Sequence, residues 1–224
     1  MLQGMLYKLN RNAPFLFAPI RFTSGTLARL AHANAIGNAT NRATLTESNG
    51  GHLTLAKLLK TDDVEAFSKF TAGQSSAHFG FFRPHGFDHK SLIRHLKSKQ
   101  FLSYGIFEDS SMIAYGLIRI TPTRAAYIGT MVAESHAGRG VGKLMARYLY
   151  WQTAQMGLDA YLTISDENPV SLRSHSPDRT LQKVQSLGAK GYALYKAPRI
   201  EADSAPPILI YTAAPPSAVG NHHG

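Results

Sequence analysis

Chemistry is best accommodated by the stretch from Thr130 to Lys143, in which Gly138, Gly140 and Gly142 alternate with Arg139 and Val141 and lead to Lys143. Glycines let backbone N–H groups turn inward and approach an anion closely. A helix that begins at Val141 adds the positive end of its dipole at the same point. Three glycines in five residues also suit a tight turn or close packing, so their surroundings decide. A strand-like run, Ala125 to Val132, stands before the loop. After it Val141, Leu144, Met145, Tyr148 and Leu149 recur as one apolar stripe of a helix that runs to about Met156 and ends at Gly157. Strand, glycine loop and amphipathic helix in that order make an anion site. It is not of the dinucleotide type, where the glycines follow an early strand, and the Walker spacing is not matched.

Composition removes other chemistries. The 224 residues contain no cysteine, which excludes disulfide scaffolds, thiolate metal sites and acyl transfer through an enzyme thioester. No apolar run approaches the roughly 18 residues of a membrane span. The formal charge is +10, and Lys8, Arg11, Arg21, Arg29 and Arg42 precede the first acid, Glu47. A basic adaptor for a polyanion would gather Lys and Arg into a stripe, and no dense basic run occurs, so nucleic acid is not the expected partner. The acid-free first 46 residues share the composition of organellar transit peptides, and their lack of steady periodicity leads to the expectation of a disordered extension.

Stepping outward along the chain, His52 to Leu58 has the pattern of a strand. Thr61-Asp62-Asp63 caps a helix with Val64, Phe67 and Phe70 at helical spacing. A loop rich in aromatics, His78 to Phe87, precedes a second helix carrying Leu92, Ile93 and Leu96. Phe101 to Phe107, Met112 to Ile120 and Ala125 to Val132 are joined by short turns and predict an antiparallel meander. Beyond the glycine loop and its helix come a strand at Asp159 to Ser165, a bent helical segment at Pro169 to Leu187, and two last strands at Tyr192 to Arg199 and Ile208 to Ala213.

This order, together with Val132, Gly140 and Gly142, resembles the GCN5-related N-acetyltransferase (GNAT) family, whose signature joins a strand Leu-x-Val to Arg/Gln-x-x-Gly-x-Gly/Ala at a helix start. Ala137 stands where the family prefers Arg or Gln. The resemblance implies that Ala137, Gly138, Arg139, Gly140, Val141, Gly142 and Lys143 hold the pyrophosphate of acetyl-CoA. It also implies that the backbones of Met131 and Val132 hold the pantetheine arm and the acetyl carbonyl. Asn168-Pro169-x-Ser171 resembles the family's Asn-x-x-Ala segment, so Asn168 and Ser171 join the cofactor set, although helix capping alone would explain Asn168 and Pro169. His175 stands seven residues after Asn168, where the family often has a tyrosine that protonates the departing thiolate. Tyr192 and Tyr195 are the alternatives for that role.

An amine must be neutral to attack, so a general base is required. The candidates are Glu134 beside the loop, His85 in the aromatic loop, and Tyr127 or Glu108 on the central strands. His85 serves equally as a hydrogen-bonded structural histidine. No metal site is expected, because His85 and His89 lack a third ligand.

The expectation is therefore a mixed α/β fold, a single GNAT-like domain over residues 48–213 with a mostly antiparallel mixed sheet flanked by helices. Residues 1–47 form an N-terminal extension and 214–224 a tail. The expected activity is direct transfer of acetyl from acetyl-CoA to a primary amine, on a small molecule or a protein, by a cytoplasmic monomer or homodimer without nucleic-acid or membrane partners. A catalytically silent acyl-CoA sensor is the alternative.

Overall fold

A computed structural model describes residues 18–49, 51–80, 82–175, 181–187 and 191–212. In chain order its elements are α1 (Ala18–Ala31), α2 (Ala33–Asn41), β1 (Leu45–Asn49), β2 (His52–Leu58), α3 (Val64–Ala72), α4 (His89–Leu96), β3 (Phe101–Glu108), β4 (Ser111–Ile120), β5 (Ala125–Val132), α5 (Val141–Gln155), β6 (Asp159–Ser165), α6 (Pro169–His175), β7 (Gln182–Ser186) and β8 (Tyr192–Lys196). The eight strands form one sheet in the order β1-β2-β3-β4-β5-β6-β8-β7. Only β5 and β6 run parallel, and every other pair is antiparallel. The mixed α/β fold with a mostly antiparallel sheet is as the sequence predicts.

Alternation along β4 loads both faces of the sheet. Ala114, Ile118 and Ile120 enter a core with Val141, Leu144, Met145, Tyr148 and Leu149 of α5. Tyr115 and Leu117 face a second core with Phe67 and Phe70 of α3 and Leu92 of α4. A two-residue period places successive side chains on opposite sides, so one strand serves two layers. Gly116 is where α5 comes closest, since a Cβ there would lie 2.6 Å from Met145 Sδ and 3.0 Å from Leu149. Among the described residues no helix is long and apolar enough to cross a membrane.

Three expectations are corrected. Disorder through residue 47 does not hold from Ala18 onward, because α1, α2 and β1 occupy that stretch. Ala28, Ile36, Ala39 and Ala43 are buried in the α5-side core, and the Tyr148 hydroxyl donates to the Ala43 carbonyl. The contact surface is made of small side chains, which carry little of the apolar signal that a periodicity search reads. The bent helix from Pro169 to Leu187 is also corrected: α6 is described over Pro169–His175, and Gln182–Ser186 is a strand that pairs with β8. All five residues of β7 are exposed, so backbone pairing holds the strand and no inward face marks it in the sequence. Finally, Ile208 to Thr212 is not a strand, although Leu209 is fully buried. The first 17 residues, Ala213 and the tail over 214–224 lie outside the described residues.

Candidate functional site

Strands β5 and β6 pair only at Ala125 to Tyr127 with Asp159 to Tyr161. Beyond that point they part, and a cavity of about 870 Å³ opens between them. Its walls are Ile128 to Val132 of β5, Leu162 to Ser165 of β6, the glycine loop, and Ser171, Arg173, Ser174 and His175 of α6. Ser75, His78, Phe82, Glu134 and Tyr192 also line it.

Backbone direction follows from the register with β4. Thr121 N–H donates to Ala125 O and Ala133 N–H to Ile113 O, and the register between these bonds is unbroken. Antiparallel pairs alternate between bonded and non-bonded positions, so Tyr127, Gly129 and Met131 spend their backbone groups on β4. Those of Ile128, Thr130 and Val132 turn toward the gap left by β6. Val132 is thus oriented as expected. Met131 is corrected: its backbone pairs with Tyr115, and its side chain is buried in the α3/α4 core. Thr130 is the neighbour whose backbone turns to the gap instead, a shift that the two-residue period reveals once the register is known.

At the open end of the gap, Gly138 has φ +74° and Gly140 φ +86°. A Cβ at either would meet nothing within 4 Å, so the demand for glycine there is conformational. Gly140 caps α5, and its carbonyl accepts the first helical bond from Leu144. The first turn of a helix leaves N–H groups without intrahelical acceptors, and here that turn opens on the cavity. At Gly142 the need is spatial, since a Cβ would lie 3.0 Å from Ser174 Oγ and 3.5 Å from Val132 Cγ2. Ala137, Gly138, Gly140, Gly142 and Lys143 line the cavity. Val141 points its side chain into the core at 0% exposure. Arg139 is turned away: its Nε donates to Thr212 O at 2.8 Å, and its guanidinium lies 3.6 Å from Glu108. Arg173, a cation absent from the sequence-based set, also lines the cavity.

Asn168 caps α6, its Oδ1 accepting from Ser171 N–H at 3.0 Å, so the capping reading is the observed one, and both residues reach the cavity. His175 is 4% exposed with Nδ1 2.8 Å from the Tyr150 hydroxyl and Nε2 3.3 Å from Thr130 Oγ1. Burial pushes its pKa down to about 4. The ring is therefore neutral near pH 7, and the imidazolium expected to deliver a proton is not available.

Glu134 accepts from both the N–H and the hydroxyl of Ser75. These bonds hold its carboxyl below the usual range, which is the wrong direction for a base at neutral pH. Beside it stands His78, unpredicted, with Nε2 2.6 Å from Val132 O and Nδ1 3.5 Å from Glu134. His85 is not among the residues that line the cavity, and packs on the α3/α4 face of the sheet. Its ring stacks on His95 at 3.7 Å and its Nε2 meets the Tyr115 hydroxyl at 2.9 Å, which is the structural reading of that residue. His95 bonds Tyr115 and Ser103, and burial, aided by the neighbouring His85, pushes its pKa down to about 3. Tyr127 packs on Tyr161 where β5 and β6 still pair, and neither Glu108 nor Tyr195 lines the cavity.

Residues 70–176 match the sequence profile described as the acetyltransferase (GNAT) family. No curated protein sequence matches the chain. Among solved structures, the GNAT domain of S. lividans PAT is similar at a TM-score of 0.59 and 14% identity, covering 69% of this chain and 96% of that one. The ribosomal-protein-S5-alanine acetyltransferase of Vibrio fischeri is similar at 0.55 and 14%, covering 72% and 100%. PaiA N-acetyltransferase of Thermoplasma acidophilum, in complex with coenzyme A, is similar at 0.53 and 12%, covering 64% and 98%.

Proposed function

We propose that this chain, whose residues 70–176 match the acetyltransferase (GNAT) family profile, transfers the acetyl group of acetyl-CoA directly to a primary amine, both substrates being bound together. The observation that carries the reading is the parting of β5 from β6 into a cavity that ends on a helix start with two left-handed glycines. The cradle fits a long anionic ligand: backbone N–H groups and Lys143 at the anion end, Arg173 on the wall, and backbone groups of β5 turned to the gap along the middle. Val141 and Gly142 contribute N–H groups, and Asn168 with Ser171 shapes the facing wall. With no cysteine in the chain, direct attack by the amine needs no acyl-enzyme.

Acetyl-CoA supplies an acyl carbon activated by its thioester. The chain supplies N–H donors from Thr130 and Val132 where negative charge develops on the acetyl oxygen, and one such donor contributes roughly 10² to 10³ in rate. An acceptor amine that takes over the Val132 carbonyl releases His78 Nε2. Its Nε2 proton passes to solvent as the ring takes the Nδ1–H tautomer and donates to Glu134; the freed Nε2 then receives the amine's proton, so Glu134 orients and stabilises the base, as a carboxylate does in a His–Asp pair. Tyr192, on the cavity wall, is the donor to the departing thiolate, and neutral His175 fixes Thr130 and Tyr150.

The acceptor class follows from the lining. Glu134 is the single carboxylate among the described lining residues, and Ser75 already engages it. A polycationic acceptor would be left without counter-charges, so a single amine on a small molecule or a peptide is favoured. The test is thiol release from acetyl-CoA across a panel of monoamines, peptide N-termini and polyamines, with both substrates varied. Amine-dependent release with intersecting initial-velocity lines supports the reading. Parallel lines indicate an acyl-enzyme, and tight binding with no amine-dependent release indicates a sensor module.

A further inference from the structure

Glu108, at the end of β3, gathers three donors from two segments. His136 Nε2, in the turn before the glycine loop, stands 3.0 Å from its Oε2. The guanidinium of Arg139, between the two left-handed glycines, lies 3.6 Å from Oε1. The Tyr211 hydroxyl donates to the same oxygen. The carboxyl is 20% exposed, His136 15% and Arg139 14%. Burial alone would raise the Glu108 pKa, but the bonds from Tyr211 and His136 and the charges of His136 and Arg139 outweigh it and hold the carboxyl below the usual range.

The segment that brings Tyr211 is fastened at the same place. Thr212 N–H donates to the Arg139 carbonyl at 3.2 Å, and Arg139 Nε donates back to Thr212 O at 2.8 Å. The Arg139 guanidinium lies over the Tyr211 ring at 5.3 Å. Leu209, fully buried, anchors the segment in the core, whereas its neighbours Ile208 and Ile210 are 64% and 58% exposed.

We propose that Glu108 is a positioning residue for the cofactor loop: with Arg139, His136 and the segment Leu209–Thr212 it forms a clamp that holds the loop in its anion-binding conformation before ligand arrives. The advantage of such a clamp is entropic. A stretch with glycines at 138, 140 and 142 has more backbone freedom to lose than any other composition. A ligand that must order such a loop binds more weakly than one that finds it ordered. Residues 136 and 139 flank Ala137 and Gly138, so a single carboxylate that engages both fixes the two ends of the first left-handed turn. Arg139, which the sequence assigns to the anion, thus acts through the backbone it holds.

This inference rests on the reading of the cavity as an acetyl-CoA site, and the test separates the two. In the ligand-free protein, Glu108→Gln and Tyr211→Phe are compared with wild type by hydrogen exchange of the amides of Gly138 to Gly142. The clamp predicts faster exchange in both variants, and equal exchange in folded variants overturns it, whether or not acetyl-CoA binds. In calorimetry and steady-state assays Glu108→Gln raises the Kd and KM for acetyl-CoA about tenfold, with kcat within about twofold, a tenfold change being the expected scale for one lost ordering contact. Removal of the chain after Pro207 does the same without touching the loop's sequence. A fall in thermal midpoint with unchanged acetyl-CoA affinity makes the cluster merely structural and overturns the proposal. Absence of acetyl-CoA binding by wild type overturns the cavity reading instead.

Discussion

Acid should unfold this protein through two histidines that the fold keeps neutral. His175 has its pKa lowered to about 4 by burial, and His95 to about 3 by burial and the adjacent His85, from an ordinary value of 6.5. Both rings remain unprotonated in the folded state and protonate freely when the chain unfolds. Below about pH 6.5 the unfolded state therefore binds more protons, and stability falls as the pH drops, levelling off only near the folded values. At pH 5 each group stands about 1.5 units below its unfolded pKa, so at about 1.4 kcal/mol per unit each costs about 2 kcal/mol relative to pH 7. Urea unfolding at the two pH values, with the slope held common, reads the loss. His175→Gln keeps a hydrogen-bonding side chain but cannot titrate, and it should lose about 2 kcal/mol less than wild type over the same interval. His95→Gln should behave likewise. If either folded variant loses as much stability as wild type between pH 7 and 5, the neutral buried ring is the wrong description of that residue.

Three other outcomes follow. A chain beginning at Ser48 loses the buried Ala28, Ile36, Ala39 and Ala43 and leaves the Tyr148 hydroxyl without its acceptor; the orphaned hydroxyl alone costs about 1–3 kcal/mol, so its thermal midpoint should drop sharply, and an unchanged midpoint would show the N-terminal helices to be dispensable. Asn168→Ala removes the cap of α6 and should cost about 1 kcal/mol in urea, with a raised KM for acetyl-CoA; unchanged values in both would leave the cap without a role. His78→Gln should lower kcat by roughly 10² while preserving acetyl-CoA affinity, the scale of a lost general base, and retained kcat would exclude His78.

The parts of the fold that the sequence discloses are those in which burial writes a period. β2, the meander, α5 and β6 carry apolar runs or stripes that the core buries, β3 and β4 on both faces, and their bounds are read almost to the residue. The sequence is silent where contacts are made by small side chains, as in α1 and α2, or by backbone alone, as in β7. The glycine loop was legible because left-handed φ values at Gly138 and Gly140 admit few other residues. Side-chain roles were not, because they depend on direction: Arg139 turns to Glu108, His85 joins His95 and Tyr115 on the far face, and His78 folds back onto Val132. Thr130 in place of Met131 is an error of one residue, which in a strand exchanges the two sides.

If the gap between β5 and β6 is the acetyl-CoA site, the loop that ends it must carry the pyrophosphate. Titration calorimetry with acetyl-CoA on wild type, Gly140→Ala and Gly140→Asp puts this directly. A Cβ at Gly140 meets nothing within 4 Å, so both variants share only the left-handed backbone cost, about 1–2 kcal/mol. The aspartate adds a carboxylate beside the pyrophosphate, where like charges a few ångströms apart repel by about 4 kcal/mol at an effective dielectric of 20. Wild type should bind, Gly140→Ala should bind more weakly, and Gly140→Asp should show no measurable heat of binding while its far-UV circular dichroism matches wild type. Equal affinity in a folded Gly140→Asp would contradict the assignment of this loop and of the cavity it closes.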